Sequence, residues 1–196
     1  MKRQKKKEIL LKNNDLARVY SWFARAFSYP VPERIEELKG ISAEIEVDND
    51  FVNELFQWSV DLSEINKEQL EADFVTLFIN GYPKTIAPPY ESLYRGSSLM
   101  LGTTSEDVIQ YYVKYELEPA EDGSLPDALA IELDFVAFLI TQNPSNVDIN
   151  KFINEHIFTW VEDFIAKINE SDVDIYKKLG TLFLAFVSEE KERINS

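Results

Sequence analysis

Residues 16–27 read Leu-Ala-Arg-Val-Tyr-Ser-Trp-Phe-Ala-Arg-Ala-Phe, with Leu16, Val19, Tyr20, Phe23 and Phe27 at spacings of three and four. On a helix of 3.6 residues per turn these positions share one face, so the stretch predicts an amphipathic helix within 8–28. Ser28-Tyr-Pro30 stops it, because proline disfavours helical geometry in the residue before it. The same period recurs downstream. Pro32 to Lys39 predicts a short helix ended by Gly40, and 51–62 a helix with Phe51, Leu55, Trp58 and Leu62 inside, capped from Asp48-Asn-Asp50. Asn66 with Gln69 resembles a capping box opening a helix through Phe78. Further helices are expected from Thr104 to about Glu116, from Pro126 to Thr141 with the stripe Leu129, Leu133, Val136 and Ile140, over 148–169, and from a cap at Ser171 onward. Three prolines and a glycine within 81–89 make that segment a loop. No stretch alternates convincingly as a strand would. The reading is an all-α fold, one globular domain over 8–196 of about seven to nine helices, preceded by a basic tail at 1–7.

Composition narrows the function classes. With 196 residues, 45% of them hydrophobic, the chain can bury a substantial core. The apolar run Leu182 to Val187 falls far short of a membrane span, and the run after the basic tail is too short for a signal-peptide core. No membrane insertion and a cytoplasmic location are expected. There is no cysteine, which excludes disulfides, thiolate metal sites and cysteine nucleophiles. The net charge of −15 repels nucleic acid and attracts cationic partners. Between Tyr115 and Asn150 there is no Lys or Arg, while Glu116, Glu118, Glu121, Asp122, Asp127, Glu132, Asp134 and Asp148 fall there. That stretch is either ordinary solubilising surface or an acidic rim for a basic peptide.

Recognised catalytic motifs are missing: there is no phosphate-binding Gly-rich loop, no dinucleotide fingerprint, no His-Glu-x-x-His and no Gly-x-Ser-x-Gly. The lone His156 lies beside Ile153 and Trp160 and reads as a core or boundary histidine. The pairs Glu71/Asp73 and Glu132/Asp134 sit two apart, about 200° around a helix, and cannot share a proton. No enzymatic activity and no cofactor are expected. A helical metal-dependent hydrolase with carboxylates converging from different helices, and a structural subunit of an oxidoreductase complex, stay open as alternatives.

Three segments, in order, carry a resemblance. Phe74-Val-Thr-Leu77-Phe78 leads into Ala87-Pro-Pro-Tyr90-Glu91-Ser92-Leu-Tyr94. Pro126-Asp127 opens a helix that continues Glu132-Leu133. Phe152, His156 and Trp160 then precede Tyr176, Leu179 and Phe186. Together, across roughly 15–190, they resemble the TorD/DmsD/NarJ family of redox-enzyme maturation chaperones, with Ala128 where the family commonly has histidine after Pro-Asp. The resemblance implies a helical chaperone that holds the apo-form of a molybdopterin-containing oxidoreductase by its twin-arginine leader or N-terminus until the cofactor is inserted. Monomer and dimer both remain open.

Such a leader needs carboxylates for its guanidinium groups and an apolar groove for the rest. The expected peptide-binding residues are Phe74, Leu77, Phe78, Tyr90, Glu91, Ser92, Tyr94, Glu121, Pro126 and Asp127, with Asp127 the first candidate for the cation, Glu91 and Glu121 next, and the aromatics lining the groove. For Phe78 burial in the core is the stronger expectation, and for Tyr90 and Tyr94 exposure.

Overall fold

The computed structural model describes residues 11–47, 49–82, 84–96, 102–118, 124–143 and 145–196. Its described elements are ten α-helices and two π-helical turns: α1 (Asn13–Ala26), α2 (Pro32–Glu44), α3 (Asp50–Ser63), α4 (Lys67–Phe74) with a π-turn at Val75–Ile79, α5 (Glu91–Tyr94), α6 (Thr103–Lys114), α7 (Leu129–Gln142), α8 (Val147–Phe152) with a π-turn at Ile153–Ile157, α9 (Val161–Asn169) and α10 (Asp174–Asn195). Among the described residues there is no strand, only an isolated antiparallel bridge between Tyr90 and Ala128. The basic tail at 1–7 lies outside the described residues, as does Glu121.

The expected periodicities are the ones that build the core. In α1 the side chains Leu16, Val19, Tyr20, Phe23 and, just past its end, Phe27 are all buried, and α1 packs along α7 and α2. The α7 stripe Leu129, Leu133, Val136 and Ile140 is buried as well. Phe23 joins Phe51, Phe183 and Phe186 in one aromatic cluster, with ring centroids 4.9–6.5 Å apart. Phe164 joins Phe27, Phe78, Tyr94 and Trp160 in a second. Tilted and edge-on rings at these separations suit the aromatic quadrupole.

Several expected boundaries shift, each for a local reason. Gly40 does not end α2, which continues to Glu44; Leu38 and Ser42 are buried on its inner side, and that packing outweighs the roughly 1 kcal/mol cost of a mid-helix glycine. Pro126 precedes α7 rather than starting it, and Ala128 stands at the N-cap. The helix expected over 148–169 is three pieces. A Phe158 N–H to Ile153 carbonyl bond of 2.9 Å widens the turn, and Phe158 to Trp160 separate it from α9. Ile153, His156 and Ile157, spaced by three and four, are buried together on the inner side of this turn. This subdivision and the four-residue α5 account for ten helices against the expected seven to nine. The cap at Asn49 accepts from Val52 N–H at 2.9 Å. Asn66 accepts from Gln69 N–H, but the Gln69 side chain donates onward to Asp73, so only half a capping box forms. Ser171 sits two residues before the Val173 cap of α10 and donates to the Ile168 carbonyl.

Two glycines within helices separate propensity from packing. A Cβ at Gly40 would meet nothing within 4 Å, whereas one at Gly180 would lie 2.8 Å from Ile165 Cγ2, a branched methyl that cannot rotate aside. Urea unfolding should therefore show Gly40→Ala stabilising by about 0.5–1 kcal/mol. Gly180→Ala should destabilise by about 1–3 kcal/mol, overpacking outweighing the same propensity gain.

Candidate functional site

The π-turn at Val75–Ile79 closes with Asn80 N–H on the Val75 carbonyl at 2.7 Å, and the proline-rich loop that follows is pinned where Ala87 N–H donates to the Leu77 carbonyl at 2.8 Å. The chain is thereby delivered to Pro89 and Tyr90 beside the segment before α7. There Glu91 N–H donates to the Asp127 carbonyl and Leu129 N–H to the Pro89 carbonyl, both at 3.0 Å. Ser92 N–H donates to Asp127 Oδ2, also at 3.0 Å. Tyr112 of α6 locks the other side, its hydroxyl donating to the Pro126 carbonyl at 2.9 Å. Two motif segments, 35 residues apart between Ser92 and Asp127, are thus one structural unit.

A polar knot lies inside this unit. Glu91, Asp127 and Glu132 each have 0% relative exposure, and His156 has 3%. Glu91 Oε1 accepts from Arg95 Nη1 at 2.7 Å, while Oε2 lies 3.0 Å from His156 Nδ1. A carboxylate only accepts, so the imidazole must carry a proton on Nδ1. Arg95 Nη1 also donates to the Glu155 carbonyl at 3.1 Å. Both Glu132 oxygens, Asp127 Oδ1, Ser92 Oγ, the Trp160 indole nitrogen and the Tyr94 hydroxyl are buried without a hydrogen-bond partner among the described residues. Burial, and secondarily the neighbouring Glu91 and Asp127, push the Glu132 carboxyl well above the usual range, so it keeps its proton. Burial pushes the Tyr94 hydroxyl up too, and burial with Asp127 nearby does the same to Tyr90.

Two clefts flank α6. One, of about 600 Å³, is polar and lined by Arg95, Asp107, Gln110, Tyr111, Lys114, Asp148, Lys151, Glu155 and His156. Its two lysines are engaged, Lys114 with Asp148 and Lys151 over the Tyr111 ring at 5.9 Å. The other, about 260 Å³, is mainly apolar: Tyr112, Leu117, Pro126, Ile131, Phe135 and Phe138, with Glu118, Ser124 and Asp134 at its edges. Asp134 is itself paired with Arg25.

The expected site residues fall into distinct places. Phe74, Leu77 and Phe78 are core and not groove wall: Phe74 packs on Tyr29 and Tyr176, and Phe78 on Phe164 and Tyr176. Glu91, Ser92 and Asp127 converge, but fully buried, so Asp127 holds backbone instead of presenting a carboxylate at the surface. Tyr90 and Tyr94 are half-buried; Tyr94 stacks toward Trp160 with centroids 5.3 Å apart. Pro126 lines the apolar cleft. Three members of the knot were not among the expected site residues. Arg95 follows Glu91 by four, at the C-cap of α5, and Glu132 sits three and four residues from Leu129 and Val136, on the apolar stripe itself. His156 was expected inside, but not against Glu91, next to the Tyr90–Ala128 pair.

Residues 45–166 match the family described as nitrate reductase delta subunit. The chain belongs to that family. It is the group to which the motif resemblance pointed, since the TorD, DmsD and NarJ chaperones include it. Among solved structures, a candidate redox enzyme maturation protein from Archaeoglobus fulgidus shares the fold, with a TM-score of 0.66 at 20% identity over 94% of this chain and 99% of that one. No curated protein matches the chain. Among the described residues no helix is long and apolar enough to cross a membrane, and no three or more His, Asp or Glu side chains are grouped so as to hold a metal ion.

The protonated Glu132 gives a pH signature. Unfolded, its carboxyl ionises above about pH 4.3; folded, it stays neutral to a much higher pH. The folded chain therefore binds the extra proton across that window, and stability falls as pH rises through it. Unfolding measured from pH 4 to 8 should show Glu132→Gln flattening that decline and leaving the variant more stable than the parent at pH 8.

Proposed function

We propose that this protein is an assembly chaperone that binds the N-terminal segment of a molybdopterin-containing oxidoreductase in the cytoplasm, holding the apo-enzyme while its cofactor is inserted. Family membership supports the maturation role, and the name of the Archaeoglobus structure points the same way. The observation that carries the peptide-binding reading is the apolar cleft beside Pro126. Its walls Leu117, Ile131 and Phe138 are only partly buried, and Glu118 at its edge is exposed. An apolar segment with basic residues is the ligand such a surface complements: side-chain burial supplies affinity and the negative field supplies steering and selection. Twin arginines followed by an apolar run satisfy this, and so does a basic-apolar N-terminus without the arginine pair.

The cleft sits against the Tyr112–Pro126 bond, so the site is built on the same unit that fixes α6. A peptide entering it meets a preformed surface and orders few receptor side chains on binding. Nothing in the arrangement calls for bond-making chemistry. The work is capture, and release on maturation of the client.

Titration of the full chain with a twin-arginine leader peptide at low ionic strength should give saturable binding that weakens with added salt. Ile131→Glu, which puts charge on a partly buried residue of the apolar wall, should weaken it by about tenfold or more in protein whose thermal unfolding shows the fold retained. Absence of saturable binding to leader and to arginine-free client N-termini alike would overturn the reading.

A further inference from the structure

The polar cleft contains an arginine already seated on a buried carboxylate. Arg95 reaches Glu91 Oε1 at 2.7 Å with its side chain 37% exposed, while Glu91 is 0% exposed. The guanidinium thus spans from the cleft to a carboxylate that solvent does not otherwise touch. It is held lightly for such a position. It caps a helix of only four residues, Gly96 after it takes φ +77°, and among the described residues its terminal nitrogen has one other hydrogen bond, to the Glu155 carbonyl. The carboxylate, in contrast, does not depend on Arg95 for its orientation. His156 Nδ1 holds the other oxygen at 3.0 Å, and the backbone of Glu91 is fixed on Asp127. A second set of buried groups converges there, the Glu132 carboxyl interacting with both Glu91 and the Trp160 indole.

We propose that Glu91 is a guanidinium-binding subsite at the floor of the polar cleft, and that Arg95 is the chain's own occupant, displaced when an arginine of a client peptide binds. This rests on the peptide-binding reading above and deepens it by naming the receptor carboxylate and the residue that keeps it covered. The balance of charge favours exchange over simple removal. Evicting Arg95 without replacement leaves a buried carboxylate beside His156 and the neighbouring acids Glu132 and Asp127 with no guanidinium on it, which is costly. Replacing one guanidinium by another preserves the charge-assisted bond and frees Arg95 to water. The self-contact then acts as a filter. Arg95 makes its Glu91 contact through one nitrogen, and an ammonium, more strongly hydrated than a guanidinium, loses more on entering so buried a position.

The apparent affinity of a site is reduced by the fraction of molecules in which it is open. Removing Arg95 should therefore tighten binding of arginine-bearing peptides while costing stability in their absence. The test uses the full chain carrying Arg95→Ala, with Arg95→Lys as a second variant that keeps a cation over Glu91 if the first is too unstable to purify. Two readouts are taken. In the first, thermal unfolding is followed against millimolar methylguanidinium, with methylammonium as control; methylguanidinium should raise the Tm of the variant saturably and leave the parent unchanged. In the second, a leader peptide is titrated in parallel with the same peptide carrying lysines in place of its arginines. The arginine peptide should bind the variant roughly tenfold tighter than the parent, and the lysine peptide should show no such gain. No saturable rise with methylguanidinium overturns the subsite, whatever the peptides do. Equal arginine-peptide affinity for variant and parent overturns Arg95 as occupant but leaves the chaperone reading intact. Rescue by methylguanidinium with no peptide binding to either protein upholds the guanidinium subsite and instead counts against the proposed function.

Discussion

Pairing of the Pro89–Ser92 turn with the Asp127–Leu129 turn, sealed by the buried Asp127 carboxylate, is the constraint on which the site depends. The backbone contacts span a loop of more than thirty residues, so their closure entropy must be met by what they enclose. What they enclose is polar. A buried carboxylate accepting a backbone N–H, a second one bound by a guanidinium and an imidazole, and a third kept neutral by its proton form an arrangement in which each charge is answered or removed. Were Glu132 ionised, three buried negative charges would face one fixed cation and His156. The proton it keeps is what makes the knot tolerable.

The same unit sets the functional geometry. Tyr112 and Pro126 tie α6 to the turn from one side, and Arg95 and Glu155 meet across the knot from the other. α6 thus lies between an apolar cleft that Tyr112 and Pro126 line and a polar one whose wall includes Arg95 and His156 of the knot. The π-turn at Ile153–Ile157 carries His156, which is buried against Glu91.

Much of the fold was legible because it rests on apolar periodicity: α1, α3 and α7 are where spacings of three and four put them, and their stripes are the core. The boundaries that slipped involve forces that periodicity does not encode. Gly40 was overruled by Leu38 and Ser42, and after Phe152 the hydrogen bonding widens, as the Phe158 N–H to Ile153 carbonyl bond marks. At the site, the motif residues Glu91, Ser92 and Asp127 do come together, though inside the protein and not on a rim. Phe74, Leu77 and Phe78 form the core beneath it. The knot itself was half visible. Glu132 lies on the apolar stripe of α7, which by itself marks a buried acid, and Arg95 lies one helical turn after Glu91. His156, sixty-five residues beyond its partner, carried no local signal of that contact; only the fold brings the two together.

Hydrogen exchange on the unmodified chain tests the central claim most directly. If the two turns form a single unit closed by Asp127, the amides of Glu91, Ser92 and Leu129 exchange only through global unfolding, at rates matching core amides of α7. Exchange of those three amides at rates typical of exposed loops, while α7 stays protected, would contradict it.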